Sequence, residues 1–68
     1  MTYEYFFVKN PPRRDSYPHS NYLIGTNTFT MKTYIRQIGK DAYGTVYYKA
    51  PLTNEQMQRY GLMKGRRW

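Results

Sequence analysis

Cysteine is absent from this chain of 68 residues, histidine occurs once, as His19, and only four residues are acidic. Without cysteine there is neither a disulfide nor a thiolate, and one imidazole cannot complete the three or four protein ligands of a zinc site. The two staples on which small domains most often rely are thus excluded, and no metal or other cofactor is expected. The lack of cysteine also fits a reducing compartment. Long apolar runs are missing too: nothing approaches the roughly 20 residues that cross a bilayer. Met1-Thr2-Tyr3-Glu4 lacks the basic and then apolar pattern of an export signal. We read the chain as cytoplasmic, with no membrane partner.

Catalytic constellations are missing as well. There is no cysteine nucleophile, no phosphate-cradling glycine loop and no histidine pair at helical spacing. Glu4 and Glu55, or Asp15 and Asp41, could meet as a carboxylate pair, but nothing in their spacing requires it, and isolated acids on a basic surface ordinarily pair with cations. The expectation is a protein that binds and does not catalyse, with no catalytic residues.

What the chain has in abundance is tyrosine and positive charge. A domain of this length buries only about 60% of its unfolded surface, so its core is thin. Nine Tyr, three Phe and one Trp supply that core with large rings, and tyrosine can keep its polar tip wet. A thin core also leaves room for a homodimer. Eleven Lys and Arg against four acids give a net charge of +7. Such a surface attracts polyanions, although solubility alone, or an acidic protein surface, accounts for the same balance.

Along the chain, Thr2 to Val8 alternates Tyr3, Tyr5 and Phe7 with Glu4, Phe6 and Val8, which predicts a strand covered on both faces. It stops at Lys9-Asn10-Pro11-Pro12, where two prolines remove ladder donors. Lys9 to Ser20 then reads as a loop of a length that is either functional or disordered. Asn21 to Gly25 is a short second strand. Thr28 to Ile38 fits both a strand and a helix, and its threonines and isoleucines favour the strand. Gly39 to Ala42 is a turn, so Tyr43 to Lys49 should return as the second arm of an antiparallel hairpin. Gly44, inside that arm, marks a bulge or a close backbone approach.

The clearest local signal follows Pro51. Thr53 and Gln56 match a capping box, Leu52 and Met57 a hydrophobic staple, and Gly61 a left-handed stop, which predicts a two-turn helix over Asn54 to Tyr60. A helix this short must dock on the sheet through Met57, Tyr60 and Leu62 to persist. The fold class is α+β: a three- or four-stranded, mainly antiparallel sheet with one short C-terminal helix. Residues 1–62 form the single domain, and 63–68 are expected to be a basic, mobile tail.

The cations fall into three groups. Arg13 and Arg14, with Lys9, flank the proline loop, where Tyr17 and His19 could stack on bases. Lys32, Tyr34 and Arg36 share one strand face at period two, and an aromatic between cations there is the arrangement that binds single strands if the face is open. If the helix covers that face, Tyr34 is core instead. Arg59, Lys64, Arg66 and Arg67, with terminal Trp68, contain no acid among them. The candidate nucleic-acid contacts are therefore Arg13, Arg14, Lys32, Tyr34, Arg36, Lys64, Arg66 and Arg67, each with a solvated surface as its alternative. Tyr47, Tyr48 and Trp68 are the candidate anchors for a protein contact.

Gly44-Thr-Val-Tyr-Tyr-Lys-Ala-Pro-Leu-Thr-Asn-Glu-Gln-Met-Gln-Arg-Tyr-Gly-Leu62 resembles a pattern in small accessory proteins of phages and conjugative elements: a G-x-V-x-Y strand, Pro-Leu-Thr, a short helix and a Tyr-x-Leu close. The resemblance implies a mobile-element protein that handles nucleic acid or interferes with a host defence complex, and it carries over no catalytic residue. The leading reading is a module that binds nucleic acid or a nucleoprotein through a basic, tyrosine-rich surface. The alternatives are a protein that inhibits a host defence nuclease of the anti-CRISPR type by binding a host protein, and a small structural or assembly protein.

Overall fold

The computed structural model describes residues 1–68. Strand β1 is Tyr3–Phe7, β2 Leu23–Ile35, β3 Lys40–Tyr48, helix α1 Asn54–Tyr60, and β4 Leu62–Arg67. All strand pairs are antiparallel, and the sheet order is β2-β3-β1-β4. The fold is therefore α+β, with four strands and one short helix towards the C-terminus.

Two segments depart from the sequence reading. Asn21–Gly25 and Thr28–Ile38 are not separate strands but parts of one, β2, since Gly25 continues the ladder opposite Tyr47. Thirteen residues at about 3.3 Å each would span roughly 43 Å. The whole molecule measures 28 Å along its longest axis, so β2 bends, and the register shift between Thr28 and Thr33 is where the ladder allows it. The second departure is the expected mobile tail. Residues 62–67 form β4, which pairs with β1 and is closed by reciprocal backbone bonds between Thr2 and Trp68, the Trp68 amide donating at 2.9 Å. Sequence reading missed it because a run of like charges looks solvated, whereas an edge strand keeps its charged side chains in water while its backbone joins the ladder.

Alternation in β1 sorts the core. Tyr3, Tyr5 and Phe7 face the helix, beside Val46 and Tyr48 of β3, and the cluster is completed by Leu52, Met57 and Leu62. Each buried tyrosine satisfies its hydroxyl: Tyr48 donates to the Pro18 carbonyl at 2.6 Å, and Tyr5 accepts from the Leu52 amide at 2.8 Å. Helix α1 starts as its sequence requires. The Thr53 hydroxyl accepts from the Gln56 amide, the Gln56 side chain accepts from the Thr53 amide, and Gly61 ends the helix at φ 67°.

The proline loop is a lid on the same face. Tyr17 meets the Phe7 ring edge-on at 6.0 Å, and Pro18 is buried. Pro12 lies so close over Gly44 that a β-carbon there would stand 2.6 Å from its ring, which is the close approach expected of a glycine inside a strand. Ser16 caps a turn by accepting from the Arg13 amide, and His19 stacks on Tyr17 at 4.5 Å with its Nε2 2.6 Å from the Arg14 carbonyl oxygen.

Tyr48 is fully buried. It is therefore part of the core, not a protein contact as its sequence position suggested. Burial pushes its phenol well above the usual tyrosine range, reinforced by the neighbouring Tyr17, Tyr60 and Tyr5. A raised folded-state pKa means that the stability tied to this proton is whole below about pH 10 and declines above it, because the unfolded chain loses the proton first. Stability should therefore fall with rising pH above about pH 10, the slope steepening as the unfolded phenol becomes fully ionised while Tyr48 keeps its proton. Denaturant melts from pH 8 to 11 check this: Tyr48→Phe should flatten the decline, and an unchanged slope would remove Tyr48 as its source.

Candidate nucleic-acid interface

Of the eleven cationic side chains, only Arg66 is held in an ion pair, to Glu4 at 3.4 Å. Glu4 is 4% exposed and lies on the sheet face away from the helix, where Phe6, Thr45 and Tyr47 also lie. One carboxylate oxygen of Glu4 accepts from both the Arg66 amide and its Nε. The β1–β4 register shifts between Tyr3 and Tyr5, so a bulge in β4 turns the Arg66 amide towards Glu4. Gly65 makes this approach feasible, since a β-carbon there would stand 2.6 Å from the Phe6 ring and 2.7 Å from the Glu4 carboxylate.

The pair positions an aromatic corner. Arg66 lies over the Trp68 ring with its guanidinium carbon 5.5 Å from the centroid, and Tyr47 meets the same ring edge-on at 6.1 Å. The Tyr47 hydroxyl accepts from Thr45 at 2.9 Å, so the supporting ring is itself fixed. Trp68 remains 58% exposed. An indole braced from two sides and open on the rest is a stacking surface for a planar ligand. Lys64 and Arg67 pair in register with Tyr5 and Tyr3, on the helix side, and with Pro51 they line a groove of about 410 Å³.

A second groove, of about 740 Å³, opens between the proline loop and α1. It is lined by Arg13, Arg14 and Arg59 with Asn10, Ser16 and Tyr60, and its one acid is Asp15. The sequence placed Arg59 with the tail; the structure gives it to the loop, because helix α1 aims its last turn at residues 10–16. Arg59 also lies over the Tyr60 ring, 5.8 Å from its centroid.

The third group stands apart. Lys32, Tyr34 and Arg36 belong to β2 and the turn after it, at the opposite edge of the sheet from β4. Tyr34 is exposed and so is not core, while Lys32 lies over the Tyr43 ring at 5.5 Å. The cations are thus not gathered on one face. Two of the three groups adjoin along β4, and the β2 group lies across the sheet. The sequence marks Glu4 as an acid expected to pair with a cation, though not with which one, whereas Gly65, Asn10 and Tyr60 carry no charge or motif signal that places them beside distant cations.

Residues 1–67 match the family described as Defence against restriction A C-terminal. The chain belongs to that family. The match bears out the resemblance to phage and mobile-element accessory proteins. As a member of the defence-against-restriction family the chain is a non-enzymatic binding module of such an element. No curated protein and no solved structure shows significant similarity to it. No helix is long and apolar enough to cross a membrane.

Proposed function

We propose that this defence-against-restriction module binds nucleic acid, free or within a nucleoprotein, in the cytoplasm, and that Lys64, Arg66, Arg67 and Trp68 form its main contact. The observation that supports this reading is that ten of the eleven cations have no acidic partner, while the eleventh, Arg66, braces an exposed Trp68 at the end of the strand that carries Lys64 and Arg67. Unpaired cations bind phosphates by releasing counterions, and the affinity then depends on salt. For four phosphate contacts to a single strand, raising salt from about 50 to about 200 mM should weaken binding roughly 50-fold. Trp68 is the chain's one tryptophan, so its fluorescence reports the contact directly. A salt-independent titration, or none at all, would end this reading.

A second reading rests on β2, whose outer edge is unpaired and which, with the residue before it, exposes Tyr22, Ile24, Met31 and Tyr34. Such an edge suits a protein partner, whether a host protein or a second copy of this chain. Lys32 is the one charged residue within β2, so binding there would depend on salt far less steeply than binding through four phosphate contacts, and this separates the two readings in one experiment.

A further inference from the structure

The two grooves stand at opposite ends of one strand. Helix α1 delivers Arg59 to the loop groove, Gly61 turns the chain, and β4 runs from there to Trp68. The start of β4 is fixed to the loop by the Val8 amide, which donates to the Gly61 carbonyl at 3.1 Å, and by the Lys9 stem, which packs over Gly61. From Gly61 to Trp68 is seven residue steps, or about 23 Å of extended chain. Lys64 lies midway, and Arg67 and Trp68 stand at the far end. Among the residues lining the two grooves the exposed charges are all positive apart from Asp15, because Glu4 is buried beneath Arg66, while the exposed Glu55 stands on the adjoining side of Arg59. Two cationic grooves are common on a basic protein, but here one lies along β4, the edge strand that no other strand covers, and the other is lined by Arg59 and Tyr60, the residues that lead into that strand.

We propose that one single strand of nucleic acid lies along the β4 edge, with a base stacked on Trp68 and its phosphates tracking past Lys64 to the Arg13, Arg14 and Arg59 groove. This rests on the reading above and narrows it. A stacking platform selects single strands, since bases inside a duplex offer no free face. A length of about 23 Å corresponds to roughly four nucleotides, the low end of single-strand site sizes. The groove at the loop end is a phosphate site, not a base site: its contribution is guanidinium groups that take phosphate oxygens in pairs.

The test uses the whole protein and Trp68 fluorescence with thymidine oligonucleotides of two and ten residues and a ten-base-pair duplex. Arg13 and Arg14 are exposed, and they bond to the rest of the loop through their backbone alone, so the double variant R13A/R14A keeps the fold. The dinucleotide reaches only Trp68 and its affinity should be unchanged in that variant. The decanucleotide should lose about tenfold, with a salt slope lower by about 1.4 for the two lost phosphate contacts. The duplex should compete poorly against the decanucleotide. Equal decanucleotide affinity in wild type and variant, or equal loss for both lengths, overturns the track while leaving the Trp68 contact standing. Duplex competing as well as single strand overturns the single-strand assignment. Failure of every ligand to quench Trp68 in the wild type takes the underlying reading down with it.

Discussion

Replacing Phe7 by alanine is expected to abolish the folded state. Phe7 is fully buried and sits where three parts of the molecule converge: it pairs with Leu62 of β4, meets Tyr17 of the proline loop and packs in the cluster under α1. Truncating a buried phenylalanine costs about 3–5 kcal/mol, from lost transfer energy and the cavity left behind. A core this small supplies about 3–5 kcal/mol of net stability in all, so the loss is as large as the reserve. Circular dichroism of Phe7→Ala should show no cooperative thermal transition. A cooperative melt close to that of the unmodified protein would mean that the loop and β4 hold without this ring. The core would then be centred elsewhere.

The second large effect is expected at Gly65, whose replacement by alanine should detach the end of β4. The new methyl would meet the edge of the Phe6 ring and the Glu4 carboxylate, and both side chains are buried. Neither is the free end of a flexible chain, so the strand itself must move, at a cost of about 1–3 kcal/mol. The Glu4 to Arg66 bonds go with it, and Trp68 loses its brace. Emission from Trp68 should shift to longer wavelength and its anisotropy should fall. Oligonucleotide affinity should drop although no cation has been removed. Gly25→Ala is the control, since a β-carbon there meets nothing within 4 Å. Equal behaviour of the two variants would show that the bulge does not hold the tryptophan in place.

How far the sequence was legible can be followed residue by residue. The helix was readable to its termini, because Thr53, Gln56 and Gly61 act on backbone groups within four residues of themselves. The alternation of β1 and β3 was readable for a similar reason: period two is local, and the rings at Tyr5, Phe7 and Tyr48 follow it. What local pattern cannot express is pairing at a distance. Residues 62–67 become a strand only because β1, some sixty residues away, offers a free edge with Glu4 beneath it. Likewise Arg59 joins Arg13 and Arg14 through the folding back of the loop, not through any sequence spacing. Tyr48 was placed on the surface because tyrosine is at home in both environments, and only the carbonyl of Pro18, thirty residues upstream, shows which one it occupies.

The reciprocal bonding of Thr2 with Trp68 brings the beginning and the end of the described chain to a single corner. An affinity tag or fluorescent fusion added at either terminus would therefore arrive beside the indole, and its linker could mask the surface it was meant to report on. The turn between β2 and β3, around Gln37 and Gly39, is exposed and lies at the other side of the sheet. Labels for binding work belong there, and a permuted chain opened in that turn and joined across Thr2 and Trp68 would keep all four strands while freeing the corner from any appended sequence.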